Sequence, residues 1–233
     1  MPLLQVPEIS QRVIEISQQY YGDHTLDAIS GAGQIKNPYL ALVFINPTHR
    51  NISTDPNWKG LKAPWIGCAN IWQLFADAGL IGDELNRSIQ NAKTNWSEQF
   101  ALDVYSHVAN QDAYITNIVK WAGLDAKLPE REKVKIYAPL LIDELRKIRP
   151  ERIIVFGQLT YDGLLRELGT KTQQKFGVMN EAMLDTGTIQ SMPTEVGEVI
   201  PCYFPVGQGI KNRAKAVELL KMLAQERRSA RQR

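Results

Sequence analysis

Cysteine is scarce in this chain: only Cys68 and Cys202 occur among 233 residues. Two thiols far apart in sequence cannot build a four-cysteine cluster or a complete zinc site, and both are expected to be reduced and structural in a cytosolic protein. Long apolar runs are missing as well. No stretch approaches the length of a transmembrane helix, and the opening Met-Pro-Leu-Leu-Gln-Val-Pro has neither the basic nor the apolar region of a signal peptide. A membrane partner is therefore not expected, and the expected location is the cytoplasm. No cluster of His, Asp and Glu has ligand spacing, which argues against a metal and against metal-dependent hydrolysis. The phosphate loop Gly-x-x-x-x-Gly-Lys-Ser/Thr is absent. So are internal repeats and low-complexity segments. Charge of one sign is in short supply too: 27 Lys and Arg against 25 Asp and Glu leave +2, which permits a polyanion partner without demanding one.

What remains is an ordinary globular composition, 44% hydrophobic and 22% charged, at a length that suits one sizeable α/β domain. The stretch that organises it is 39–50. Tyr39 to Ile45 are seven apolar or aromatic residues in a row, the pattern of a strand buried on both faces in a parallel sheet. Pro47 stops it, having no N–H for the ladder. Asn46, Thr48, His49 and Arg50 stand at the stop, at the carboxyl end of a central strand, where open α/β sheets bind ligands. The plain alternative is a strand-to-loop turn, which Asn-Pro commonly opens.

Further along, spacing predicts helices over 9–21 (closed by Gly22), 69–79, 97–109, 129–148, 160–168 and 212–228. The fourth tolerates Pro139 only with a kink or break. Strands are expected over 113–119, 152–157 and 199–205. Residues 23–37 and 51–67 read as loops, the second carrying Trp58 and Trp65 and long enough to be functional. Residues 84–95 are polar and unassigned. Residues 170–198 are ambiguous, an insertion or lid. Alternating strands and helices predict a three-layer α/β/α domain over 1–233 with a central, mainly parallel four-stranded sheet, a helical extension at 7–22 and a solvated basic tail of Arg227, Arg228, Arg231 and Arg233.

Three strand ends offer polar groups that could share one crevice: Asn46 with His49, Thr116 with Asn117, and the run Gly207-Gln208-Gly209-Ile210-Lys211-Asn212-Arg213. That last run is glycine-rich and opens a helix, so it offers backbone N–H groups, a positive dipole end and two cations to a phosphate. A tight turn with no ligand is the ordinary reading of such a run by itself.

Taken together, Phe44-Ile45-Asn46-Pro47-Thr48-His49, Trp65, Ala69-Asn70-Ile71-Trp72-Gln73-Leu74-Phe75, Ile115-Thr116-Asn117-Ile118-Val119-Lys120 and Ile153-Ile154-Val155-Phe156-Gly157 resemble the uracil-DNA glycosylase superfamily in order and spacing from about 39 to 223. Asn46-Pro47 resembles the first motif of the mismatch-specific and single-strand-selective branches. The typical uracil enzymes have aspartate there and a tyrosine where this chain has Thr48. The segment 116–120 resembles the one whose asparagine reads the base in the iron–sulfur branch, where a cluster cysteine follows the lysine; here Trp121 follows. The last motif departs most, with Phe204-Pro205-Val206 where the family has His-Pro-Ser or Asn-Pro-Ser.

The resemblance implies monofunctional excision of uracil or another deaminated base from DNA, in base excision repair, with no cofactor and as a monomer. It implies Asn46 and His49 as the catalytic pair, and Asn117, Trp65, Thr48 and Ile45 around the base. Gly207, Gln208, Gly209, Lys211, Asn212 and Arg213 would contact DNA phosphates. Cleaving an N-glycosidic bond requires stabilising a departing base anion and a sugar cation, and positioning a water, after the nucleotide is flipped from the stack. Asn46 can orient that water but is no strong base. Two rivals stand beside this: a non-catalytic lesion-binding protein on the same fold, and a nucleotide- or nucleoside-binding α/β protein with the Gly207-to-Arg213 turn on a phosphate.

Overall fold

The computed structural model describes residues 3–20, 25–125, 127–171 and 175–231. Gly22 and Arg233 lie outside them. Strand β2 (Leu40–Phe44) is buried along its whole length. Leu40, Leu42 and Phe44 enter one core, while Ala41 and Val43 enter the other, which is why the run has to be apolar throughout. On either side of it run β3 (Ala113–Asn117) and β4 (Arg152–Phe156), both parallel to it, and β6 (Gly197–Cys202) continues parallel beyond β4.

These are the four parallel strands expected from the sequence. Two short antiparallel strands extend them: β1 (Ala32–Gly33) along β3 and β5 (Met192–Thr194) along β6, in the order β1-β3-β2-β4-β6-β5. Elements of two and three residues are too short to show an alternation, so spacing could not find them.

Helices α1 (Pro7–Tyr20), α5 (Arg131–Ile148) and α6 (Gln158–Glu167) line one face. Helices α2 (Ala69–Asp77), α3 (Asp83–Ala92), α4 (Glu98–Asn110) and α8 (Arg213–Arg231) line the other. Helix α7 (Phe176–Thr186) sends Met183 to the core of Leu40, Leu42 and Phe44, and Phe176 and Met179 to that of Ala41 and Val43. Helix α3 falls on the unassigned polar stretch: it buries only Asn86 and Ile89, too narrow a stripe to stand out. Helix α5 runs through Pro139 unbroken. Pro139 is exposed, so the carbonyl it leaves without an N–H donor is on the wet side, where water takes it. The ambiguous 170–198 resolves into α7 and the β5–β6 hairpin. In the basic tail, Arg227 pairs with Asp112 at 3.1 Å and lies over the Tyr39 ring.

Candidate functional site

The parallel pairing of β2 and β3 does not stop where the strands do. The Ile118 and Val119 N–H groups donate to the carbonyls of Phe44 and Ile45, at 2.8 and 2.9 Å. Gly123 N–H donates to Pro47 O and His49 N–H to Gly123 O, both at 3.0 Å, with Thr48 bridged to Gly123. The loops carrying Asn46 and following Asn117 are thus stitched together. A Cβ at Gly123 would fall 3.3 Å from Asn46 Nδ2 and 3.2 Å from Asp125 O, so a bare backbone suits this approach.

Asn46 is buried, and its Nδ2 donates to Pro47 O at 2.8 Å. That leaves Oδ1 as its acceptor for a water. His49 is exposed on the rim and Thr48 half-buried beside it, with Thr48 Oγ1 accepting from Arg50 N–H at 3.4 Å. Ile45 is not brought to this group: it packs into the core against α5.

Asn117 ends β3 on the same face as Phe44, its register partner. It is 1% exposed, and neither Oδ1 nor Nδ2 has a protein partner. Strand geometry puts its backbone about 8 Å from that of Asn46. A buried amide left unpaired costs about 1–3 kcal/mol, a cost that an ordered water or a ligand removes by completing its bonding. Strand alternation turns the adjacent Thr116 to the opposite face, where it bonds Glu144. Thr116 is therefore not part of the crevice that its sequence position suggested.

Trp65 stands over the same face, its ring edge-on to Phe44 at 4.9 Å, while Phe44 stacks on Phe156 at 4.2 Å. Its φ of 64° is left-handed, which a bulky residue adopts only under constraint. The constraint is visible. The Tyr105 hydroxyl donates to Pro64 O, Trp72 Nε1 donates to Trp65 O at 2.9 Å, and Cys68 N–H donates to the same carbonyl at 3.0 Å. Upstream, Asn51 Nδ2 and Ser53 Oγ both hold Ala63 O. The ring is half-buried, with Nε1 inside and without a protein partner. Trp58, the other tryptophan of that loop, instead donates to Leu61 O and packs on the core.

Beyond β6 the glycine-rich run forms a 3-10 turn, Gly207–Asn212, that passes straight into α8. Gly209 is there because a Cβ would sit 2.0 Å from Phe204 O. Lys211 is exposed and Asn212 half-buried; the Gln208 side chain lies outside the described residues. Arg213 donates to Asp77 at 2.6 Å and to Asn70 O at 3.4 Å, so it reaches a phosphate only by leaving α2. Lys211→Ala is accordingly expected to lower the salt dependence of DNA binding by about one unit of slope. Arg213→Ala should leave that slope unchanged, and salt-titrated binding of one duplex checks both.

Sequence reasoning missed three things. Gly123 carries no motif of its own. The holds on the Trp65 loop come from Tyr105 and Trp72, 40 and seven residues away. Ile210 is 58% exposed on the 3-10 turn, and only its place between a glycine and a lysine hinted at display.

Among the described residues, no group of three His, Cys, Asp or Glu is placed to hold a metal. Burial pushes the Cys68 thiol up to about 12, and Cys68 Sγ donates to Arg50 O; Cys202 is fully buried in β6 and its thiol is pushed up as well. Neither is poised as a thiolate ligand, and Trp121 sits under the Lys133 ammonium at 3.7 Å. The residues present do not fit an iron–sulfur cluster.

Comparison with known proteins agrees with this geometry. A 67-residue stretch is 31% identical to a type-4 uracil-DNA glycosylase of Pyrobaculum aerophilum; it covers 29% of this chain and 34% of that protein, so the chain spans about a third of that relative's length. The profile of the uracil DNA glycosylase superfamily matches residues 33–224, from β1 into α8. The strand-end asparagines, the held tryptophan and the terminal turn all lie inside that match, and the chain belongs to the uracil DNA glycosylase superfamily.

Proposed function

We propose that this protein is a monofunctional DNA glycosylase that removes uracil or another deaminated base by flipping the nucleotide and directing water at the N-glycosidic bond. The observation that carries the reading is Asn117, at the end of the strand beside the one that Asn46 follows: both its amide atoms are buried without a protein partner, and its register neighbour Phe44 carries Trp65 edge-on. Uracil presents N3–H flanked by two carbonyl oxygens. Asn117 Oδ1 accepts from N3–H while Nδ2 donates to a neighbouring oxygen, where negative charge gathers as the base leaves. Trp65 covers the ring.

Water held by Asn46 Oδ1 attacks C1′ of the sugar cation once the bond to the base has broken. Its oxygen joins the sugar, its proton leaves to solvent or to His49, and the base anion is later protonated. An amide cannot take the proton strongly, so the sugar cation forms before the water commits. Lys211 and the start of the 3-10 turn hold phosphate, and exposed Ile210 enters the stack in place of the extruded base, as apolar side chains do in bent or opened duplexes.

Incubation with duplexes containing uracil, hypoxanthine or a thymine mismatch, scored as alkali-labile abasic sites, tests the reading. Cleavage of at least one deaminated base is expected; binding without cleavage of any would give the lesion-binding alternative. Ile210→Ala should slow excision from duplex by roughly tenfold or more, since unstacking costs a few kcal/mol, and leave a single strand nearly unaffected. Equal loss on both substrates would remove Ile210 from this role.

A further inference from the structure

Opposite the cleft, on the α5 side of β3, lies a charge cluster that the proposed chemistry does not use. Lys120 and Glu144 are both 0% exposed. Lys120 Nζ donates to Glu144 Oε2 and, at 2.5 Å, to Thr116 Oγ1. Thr116 Oγ1 meets Glu144 Oε2 at 3.0 Å and the Tyr114 hydroxyl donates to Glu144 Oε1 at 2.7 Å. The site is closed tightly around them: a Cβ at Gly31 would fall 2.5 Å from Glu144 Oε1 and 2.6 Å from Tyr114. The Lys120 carbonyl is taken as well, by Ile29 N–H at 2.9 Å.

Stability does not account for this cluster. Burying two charges costs nearly as much as their attraction returns, and apolar residues of similar volume often serve as well. Position accounts for it better. Asn117 has no side-chain hydrogen bond within the protein, so its amide takes its place from the backbone that carries it. Thr116 precedes it directly and Lys120 follows three residues later, and both are tied through Glu144 to α5. From Lys120 the chain runs on to Gly123, which bonds the Asn46 loop.

We infer that the buried Lys120–Glu144 pair is the positioning device of the base pocket, fixing Asn117 from behind and, through the 118–123 loop, its spacing from Asn46. Neither residue touches the substrate, since Lys120 Nζ and both Glu144 oxygens are engaged on the α5 side. The inference rests on the proposed reading that Asn117 holds the base edge.

The test is a cycle in which the double replacement K120M/E144M is made in the wild-type background and in Asn117→Ala. Thermal unfolding should show K120M/E144M folded, with a midpoint below the wild type only by what the Tyr114 and Thr116 hydroxyls lose with Glu144. Single-turnover excision from a uracil-containing strand should fall by about 10²-fold, the effect of misplacing a reacting group by an ångström. The strand concentration giving half-saturation should stay unchanged, because the phosphate contacts remain. In Asn117→Ala the same replacement should cost no further rate, because the amide it positions is gone. Equal loss in both backgrounds, or no loss in the first, would overturn the inference. The side-chain amide resonance of Asn117, assigned by its disappearance in Asn117→Ala, supplies a readout independent of activity. It should shift and broaden in K120M/E144M. If the wild type excises no base, the glycosylase reading fails, and an unmoved Asn117 resonance would then separately overturn the positioning role.

Discussion

Asn46→Ala is expected to lose about 10²–10³ in single-turnover excision of uracil, the usual cost of removing one oriented polar group at such a site, while binding to uracil-containing DNA stays within a few-fold of the wild type. The separation follows from where Asn46 sits. Its Nδ2 is committed to Pro47 O, and in the proposed mechanism its Oδ1 serves only the water, while the phosphate and base contacts fall to Lys211, Asn117 and Trp65. Asn46→Asp should keep or raise the rate, because a carboxylate steadies the sugar cation and accepts a proton. The opposing effect is desolvation: Asn46 is 8% exposed, and a carboxyl there without a cation beside it would have its ionised form disfavoured. If Asn46→Ala retained full single-turnover rate, the residue would have no place in the mechanism.

The second large effect concerns folding. Lys120→Met alone should cost about 3–5 kcal/mol, because it strands Glu144 in the core without its counter-charge. Burial pulls the Lys120 ammonium below the usual lysine range, against the attraction of Glu144, so the two groups are tolerable only together. Urea unfolding followed by fluorescence measures the loss; a midpoint within experimental error of the wild type would mean that water reaches Glu144. The contrast with K120M/E144M, which should lose less stability than Lys120→Met alone, is the diagnostic part, since a size effect at position 120 would persist in both.

The sequence made the central sheet legible because burial on both faces leaves no choice of residue: Leu40 to Phe44 and Ile153 to Phe156 could hardly be anything else. Asn46 and Asn117 stood out for a related reason, as amides at the ends of mainly apolar runs. What stayed hidden depends on distance in sequence. Nothing near Trp65 announces its left-handed backbone, which is imposed by Tyr105 and Trp72. Nothing near Lys120 announces Glu144 on another layer. The commitment of Arg213 to Asp77 could not be read either, since an arginine in a glycine-rich turn suggests a phosphate with equal force. Ile45 had the right address and the wrong face, a matter of one residue in an alternating strand.

The two shortest strands carry a consequence for how the molecule behaves in a crowd. Every open sheet ends in a row of backbone donors and acceptors able to recruit a stranger's chain. Here one margin is only Ala32–Gly33 and the other only Met192–Thr194, with Pro193 in its middle removing a donor. Neither ledge is long enough to seat a foreign strand, so heating or concentrating the protein should leave it slow to seed fibrils through its sheet.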